Sequence, residues 1–331
     1  MRTRPARHAG GKIAVAALAV AAVAAISACG SSSSSSSAGG SPSGSSSSSS
    51  SGAGGGNPLA PSSTGSVVVG SANFPENELI AEIYILALQA KGVKVTPKLN
   101  IGAREVYYPQ VTKGAITIIP EYNGTLLSVE VDKTSTAKSA ADVDADLAAK
   151  LPPTLEVLNP APATDSDSIT VTAATAAKYH LTSIADLKAV AGQLTLGGPP
   201  EFKTRSDGIA GLKNTYGVVF KGFTPLDESG PITLSALTSG KVGAADVFTT
   251  TPQIISDKLV SLSDPKSNFA AQNVIPLIYK PAATPTITSV LNAVDAKLTT
   301  SALLQMDNQV ITNHANYSTV AASFLQSAGL S

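Results

Sequence analysis

The stretch "SVVVGSANFPENELIAEIYILALQAKGVKVT", residues 66–96, decides the fold class because it alternates strand and helix patterns. A short valine run enters a polar loop. A helix pattern then starts at Pro75, with acidic residues in its first turn and apolar residues at helical spacing up to Gly92. "VKVT" supplies a second strand. Strand, helix and strand in this order predict an α/β fold with a largely parallel sheet.

The same alternation continues along the chain and predicts two lobes. A strand and turn are expected in "AITIIPEYNG" (residues 115–124), and further strands in "DSDSITVT" (165–172) and "ADVFTT" (245–250). We expect the chain to cross between lobes near Asp165 and again near Gln272. The predicted lobe 1 is therefore residues 66–166 and 273–331, and the predicted lobe 2 is residues 167–272, inserted within it.

The N-terminus has the pattern of an exported, processed segment. Basic residues precede an apolar run, Ile13–Ile26, which is short for a membrane span and ends in "ISAC". This pattern resembles a bacterial lipobox, so we predict a signal peptide over residues 1–28 and lipidation of Cys29, the only cysteine. A simple signal peptide or an uncleaved anchor is the alternative. Residues 29–65 are Ser/Gly-rich and predict a disordered tether.

Composition and motifs argue against several function classes. The formal net charge is zero and no basic patch is evident, so nucleic-acid binding is not expected. His8, His180 and His314 do not neighbour a Ser or Asp constellation, and no P-loop or zinc-protease motif is present. We predict no catalytic residue, no cofactor and no metal site.

Six polar segments follow predicted strands and predict a ligand cleft. They are "SANFPE", "IGARE", "PEYNGT", "TDSDS", "GGPPEFKTR" and "DVFTT". Loops at the carboxyl ends of strands form the ligand sites of open α/β sheets, although ordinary helix capping explains each segment singly. Arg205 can clamp a ligand carboxylate or pair with Asp207 in a structural turn.

The "PEYNGT" corner raises its own question, because Tyr122 is either a ligand contact or a core ring. We predict that Pro120 ends its strand, since proline has no N–H for the ladder. Gly124 is predicted to permit the turn that brings Tyr122 and Thr125 to the strand's carboxyl end.

These segments, in this order, resemble one protein family. "GS-x-NF-x-E", "GAREV", "PEYNGT", "PPEF-x-x-R-x-DG-x-x-GL" and "AADVFTT" are similar to the substrate-binding proteins of osmoprotectant ABC importers, the glycine betaine/choline/carnitine-binding family. The resemblance covers residues 66–331. It implies a two-lobed, periplasmic-binding-protein-like fold with a ligand cleft between the lobes, in which tyrosines surround a quaternary ammonium.

The resemblance also implies a set of site residues. Tyr122, Thr125 and Arg205 keep the residue types of the family pattern, whereas Phe248 stands where a cage tyrosine is often found. Asp167 and Gln272 fall where two further tyrosines are expected. A carboxylate at Asp167 would attract cations and favour amines that donate hydrogen bonds. The predicted ligand-binding residues are Asn73, Arg104, Tyr122, Thr125, Asp165, Asp167, Arg205, Phe248 and Gln272, and Phe74, Tyr107, Tyr108 and Phe202 are rings that can rebuild the cage.

The function that follows is solute capture for an ABC importer. We expect a monomeric receptor on the extracytoplasmic face of the plasma membrane, attached only through its lipid at Cys29. It would bind a small cationic or zwitterionic solute and deliver it to the permease and ATPase subunits. The alternatives are a ligand sensor on the same scaffold and a lipid-anchored enzyme, which would need a nucleophile–base pair in the cleft.

Overall fold

The computed structural model describes residues 66–331, which fall within one compact unit. The predicted signal peptide, the predicted lipidation site Cys29 and the predicted tether lie outside the described residues. Across residues 66–331, no helix combines the length and apolarity needed to cross a bilayer.

Ten strands lie in residues 66–331 and form two five-stranded sheets. They are β1 (Val67–Gly70), β2 (Val95–Lys98), β3 (Ile118–Tyr122), β4 (Leu155–Val157), β5 (Asp167–Thr172), β6 (Thr195–Gly198), β7 (Gly222–Pro225), β8 (Ala244–Phe248), β9 (Leu259–Ser261) and β10 (Val274–Tyr279). The first sheet has the order β2-β1-β3-β10-β4, and the second has the order β7-β6-β8-β5-β9. We call the parts built on them lobe 1 and lobe 2.

Helices cover both sheets. They are α1 (Pro75–Ala90), α2 (Arg104–Thr112), α3 (Asn123–Thr125), α4 (Ala140–Lys150), α5 (Ala173–Tyr179), α6 (Ile209–Tyr216), α7 (Pro231–Thr238), α8 (Gln253–Ser256), α9 (Pro285–Asp295), α10 (Thr300–Asp307) and α11 (Tyr317–Ser327). Single 3₁₀ turns join several of them, and π-helical segments follow α3 and α10, at Leu126–Val131 and Asn308–Thr312.

Helix α1 is the centre of the lobe 1 core. Pro75 suits its first turn because a first-turn N–H has no helical partner, and Glu76 and Glu78 lie at its positive end. Its apolar residues are almost completely buried against β3 and the C-terminal helices α9 and α11. Lobe 2 has its own apolar clusters, beneath α6 and α7. Each lobe therefore buries a core of its own.

The chain passes between the sheets twice, after β4 and after β9. The two connections run side by side: the Asp165 amide donates to the Gln272 carbonyl at 3.1 Å, and Thr164 and Asn273 form an antiparallel bridge. The predicted α/β class with two lobes is confirmed. The sheets are mixed rather than mainly parallel, because β10 in lobe 1 and β5 in lobe 2 run antiparallel to both of their neighbours. The lobe boundaries given above stay a prediction.

One expectation for the "PEYNGT" corner was wrong. Pro120 lies inside β3, opposite Pro276 of β10, and the strand continues to Tyr122. Both prolines lack an N–H, so this facing pair leaves no backbone donor without a partner. Gly124 has a helical conformation and not a positive φ. Glycine fits there because the Ala271 carbonyl oxygen occupies the space that a Cβ would take.

Candidate ligand-binding cavity

A cavity lies between the lobes, where the carboxyl end of β3 faces the ends of β5 and β8. It is narrow: the space open to the centre of a water-sized sphere is about 30 Å³. It is lined by Phe74, Arg104, Tyr122, Thr125, Asp165, Asp167, Arg205, Glu228, Phe248 and Gln272. Both lobes and both connecting segments therefore contribute side chains.

Three aromatic rings form one wall of this cavity. The centroid of the Phe74 ring lies 6.0 Å from that of Tyr122 and 5.0 Å from that of Phe248, which meets it edge-on. Phe74 and Tyr122 belong to lobe 1, whereas Phe248 ends β8 in lobe 2. The Tyr122 hydroxyl donates to Oε1 of Glu76 at 2.5 Å. The rings are thus fixed from both lobes, and their faces offer attraction to an organic cation.

Arg104 lines the cavity with its charge already neutralised. Its Nε and Nη2 donate to the buried carboxylate of Glu121 at 2.9–3.1 Å, and the Tyr107 hydroxyl donates to the same carboxylate at 2.8 Å. Burial acts to lower the pKa of Arg104, but the charge of Glu121 raises it well above its usual value. The main partner of Arg104 is therefore a carboxylate of the protein itself.

Arg205 is likewise paired, and its partner lies across the cleft. Its Nε donates to Oε1 of Glu105 in α2 at 3.1 Å, and its Nη2 to Oε2 at 3.2 Å. Nη1 lies 3.7 Å from Oε1 of Glu228. Burial and the nearby Arg104 oppose the charge of Arg205, but the hydrogen bond to Glu105 and the charge of Glu228 raise its pKa above the usual value.

The turn pairing of Arg205 with Asp207 does not occur. Asp207 instead accepts a hydrogen bond from the Ser128 hydroxyl at 3.0 Å, and the Ser206 hydroxyl donates to the Ser128 carbonyl at 3.1 Å. Three consecutive residues of the loop after β6, Arg205, Ser206 and Asp207, thus contact lobe 1. These contacts join the lobes beside the cavity.

Two aspartates with raised pKa values line the cavity. Oδ1 of Asp165 accepts from the Thr249 hydroxyl and the Thr250 amide, both at 3.0 Å. Burial, and then the carboxylate of Glu76, raise the pKa of Asp165 well above its usual value. Burial, with the charge of Asp207, raises the pKa of Asp167 to about 6. A cation between the rings would favour the ionised form of both groups.

The connecting segment before β10 is held to the "PEYNGT" corner by one amide side chain. Oε1 of Gln272 accepts from the Thr125 amide at 3.0 Å, and its Nε2 donates to the Thr125 hydroxyl at 2.5 Å. Both residues are buried and line the cavity. Gln272 thus shapes the cavity wall by fixing Thr125.

The structure brings eight of the nine predicted ligand-binding residues to this cavity, all except Asn73. Asn73 is exposed, because the extended backbone at Phe74 places consecutive side chains on opposite sides. Of the four rings expected to rebuild the cage, only Phe74 lines the cavity; Phe202, for example, packs against Phe269 in lobe 2. The sequence reasoning missed Glu228, although it follows β7 as Arg104 follows β2 and Arg205 follows β6.

Within residues 66–331, no group of His, Cys, Asp and Glu side chains is arranged to hold a metal ion. The residues that line the cavity offer charged groups, hydrogen-bonding groups and aromatic faces.

Comparison with known proteins places the chain among transport proteins. Residues 65–327 match the family model OpuAC, described as the substrate binding domain of the ABC-type glycine betaine transport system. The chain is 30% identical to the glycine betaine-binding protein YehZ of Escherichia coli (strain K12) over 284 residues, which cover 80% of this chain and 90% of that protein.

A second relative is a longer protein. The chain is 25% identical over 275 residues to the ergothioneine transport permease/ergothioneine binding protein EgtU of Helicobacter pylori (strain G27). The match covers 80% of this chain but only 48% of that protein.

Solved structures show the same fold. A glycine betaine/carnitine/choline ABC transporter structure matches with a TM-score of 0.62 at 22% identity, covering 80% of this chain and 99% of the other. Apo YehZ from Escherichia coli matches with a TM-score of 0.55 at 26% identity, with the same coverage of both chains.

Proposed function

This chain belongs to the family of substrate-binding domains of ABC-type glycine betaine transport systems, and on that premise we propose that it captures a small organic cation between its lobes and delivers it to a permease. Like its relatives, it is a solute-binding protein and not an enzyme. The identity of the solute follows from the charges that line the cavity.

The observation that carries the proposal is the pairing of both arginines. Arg104 is engaged by Glu121, and Arg205 by Glu105 with Glu228 close by. The cavity thus offers rings and carboxylates to a cation, and its two guanidinium groups are already committed to protein carboxylates. Each aromatic face attracts a desolvated cation by about 0.5–2 kcal/mol. A solute carboxylate would have to compete with Glu105 for Arg205.

We therefore propose that a cation binds more tightly than the corresponding zwitterion. Glycine betaine, which the YehZ relative is named for, carries a carboxylate beside its quaternary nitrogen, whereas choline carries a hydroxyl. Asp167, which is ionised at pH 7.5, would repel the first group, and both Asp165 and Asp167 can accept a hydrogen bond from the second.

The remaining parts of the proposal concern the location of the protein, its anchor and its partner subunits. As the substrate-binding domain of an importer, the protein acts on the extracytoplasmic side. We propose that lipidation of Cys29 anchors it to the membrane, that residues 29–65 tether the domain, and that it works as a monomer with separate permease and ATPase subunits. A ligand sensor on the same scaffold would bind the same solute without a permease. Co-purification with a permease distinguishes the two.

Calorimetry with the purified domain tests the ligand class. The panel is choline, glycine betaine, carnitine, ectoine and polyamines, in one buffer at pH 7.5. We expect heat of binding for the cations, with choline tighter than glycine betaine. Tighter binding of glycine betaine than of choline, or no binding by any cation in the panel, contradicts the proposal.

A further inference from the structure

A second cavity adjoins the first across the Phe74–Phe248 ring pair. Its volume is about 540 Å³, and Phe74, Glu228 and Phe248 line both cavities. Most of its wall is apolar, as at Leu234 and Val310. Lobe 1 and lobe 2 both contribute to it, so it opens from the same cleft.

Two buried carboxyl groups in this wall have three oxygens without an N–H or O–H donor, and the two groups lie within hydrogen-bond reach of each other. Asp307, at the end of α10, is 1% exposed, and neither Oδ1 nor Oδ2 accepts a hydrogen bond. Glu76, at the start of α1, is 3% exposed; Tyr122 donates to its Oε1, but its Oε2 has no partner. Both residues line the second cavity.

Within residues 66–331, neither carboxyl forms an ion pair with a basic side chain, although His314 lines the same cavity. Burial, and then the carboxyls of Glu76 and Asp165, raise the pKa of Asp307 well above its usual value. Burial also raises the pKa of Glu76. Neither arginine of the first cavity is among the groups that act on these two carboxyls. Buried polar groups nearly always have partners, and an unpartnered carboxylate is costly.

The geometry points to a second subsite of the solute, in which Asp307 and Glu76 accept hydrogen bonds from a cationic N–H group. The inference rests on the proposed function and deepens it. The solute is then a dication: one positive group lies between Phe74, Tyr122 and Phe248, and an apolar linker joins it to an ammonium or guanidinium at Asp307. The apolar wall suits such a linker, and an N–H donor supplies the partners that the carboxyl oxygens lack.

The competing explanation is a proton shared between the Glu76 and Asp307 carboxyls, with a purely structural role. The two explanations differ in what happens when a solute with two positive groups enters. Under the subsite, the second cation replaces the proton, which is released on binding. Under the structural role, the proton stays and a terminal ammonium gains nothing.

The experiment compares n-alkyltrimethylammonium ions with ω-aminoalkyltrimethylammonium ions of equal chain length, by calorimetry at pH 7.5. At the best length, we expect the amino-terminated ion to bind about 10- to 100-fold tighter, the value of a charge-assisted hydrogen bond to a buried group. Titrations in two buffers of different ionisation enthalpy should show more protons released on binding of the amino-terminated ion than on binding of the alkyl ion.

Asp307→Asn should remove most of this preference while the alkyl ions still bind. Asp295→Asn is the matched control, because Asp295 is also a buried lobe 1 carboxyl with an unpartnered oxygen but lies outside both cavities. It should leave the preference intact. If a cavity variant does not fold, proton release by the wild-type protein decides.

Equal affinity of the alkyl and amino-terminated ions, with no additional proton release by the amino-terminated ion, overturns the subsite and leaves the proposed function standing. Failure of both series to bind overturns the cationic ligand class itself, and the subsite with it.

Discussion

The guanidinium of Arg205 in lobe 2 holds the carboxylate of Glu105 in lobe 1, with Nε 3.1 Å from Oε1 and Nη2 3.2 Å from Oε2. This pair lies beside the cavity, where the lobes must stay together while a solute is enclosed. Burial acts to raise the pKa of Glu105, but the hydrogen bond and the charge of Arg205 lower it. Glu105 therefore remains ionised, and the pair stabilises the arrangement of the lobes seen here.

Glu105→Gln should weaken solute binding by about two- to fivefold, because Glu105 is partly exposed and such ion pairs contribute modestly. Titration calorimetry with choline measures the change. Lys150→Gln is the control, since it breaks an exposed ion pair with Asp132 and Asp146 far from the cavity residues. An equal loss of affinity in both variants would show that Glu105 acts only through general electrostatics.

Affinity for a cation should rise with pH through about 6, where Asp167 ionises in the free protein. Asp207 and Glu228 oppose this ionisation, and Arg205 and Arg104 favour it. At pH 5 only about a tenth of the carboxyl is ionised, so the affinity should be about tenfold lower than at pH 7. Asp167→Asn should flatten the profile. An unchanged slope in that variant would assign the titration to another group.

The Asp167 carboxyl should also make folding stability fall as pH rises, whereas affinity for a cation rises. The pKa of Asp167 is raised from 3.8 in the unfolded chain to about 6 in the fold. Between about pH 4 and pH 6 the unfolded chain releases this proton first, so stability falls as pH rises through that window. Denaturant unfolding of the apo protein measures this, with Asp167→Asn as the reference. A stability that rises across this window relative to Asp167→Asn is inconsistent with a buried, protonated Asp167.

Tyr122→Leu should lower both stability and affinity, because Tyr122 is 5% exposed within the lobe 1 core and also lines the cavity. Tyr84→Leu is the matched control: Tyr84 is a buried lobe 1 tyrosine that donates to Asp295 at 2.7 Å, outside the cavity. Both variants should melt at lower temperature. Only Tyr122→Leu should cost about 1–2 kcal/mol of binding free energy. Normal affinity in folded Tyr122→Leu would mean that this ring stabilises lobe 1 and does not contribute to solute binding.

Gln272→Ala should destabilise the protein by about 1–3 kcal/mol, because it leaves the buried Thr125 amide without its acceptor. Urea unfolding is the measurement. The exposed Gln110, which bonds Lys98 and the Val106 carbonyl, provides the control, and Gln110→Ala should change stability little. Equal stability of both variants would remove Gln272 as the link between the connecting segment and Thr125.

Cys29→Ala should release the protein from the membrane into the medium, since "ISAC" after the apolar run predicts lipidation at that cysteine. Fractionation of cells that express each form, followed by immunoblotting, measures the distribution. Retention of the variant in the membrane fraction would refute the lipid anchor.

Local pattern was enough to predict the elements of the fold. The helix starting at Pro75 and the strands at Val67 and Val95 follow from apolar periodicity and start signals, which depend on near neighbours in the chain. The alternation of these elements predicts an α/β class. It does not predict that β10 returns antiparallel between β3 and β4, because that pairing joins residues far apart in sequence.

For the candidate site, too, some features could be predicted from the sequence and others depend on the tertiary structure. Sequence alone determined which residues follow the carboxyl ends of strands, and eight of the nine predicted residues meet in one cavity. Only the tertiary structure decided their charge state, because Arg205 is neutralised by Glu105 of the other lobe, 100 residues away. It also decided that Asp307, which no local pattern distinguishes, is buried without a hydrogen-bond partner near Glu76. Burial and pairing between lobes arise from the packing of residues that are far apart in the chain, so they cannot be predicted from the pattern of neighbouring residues.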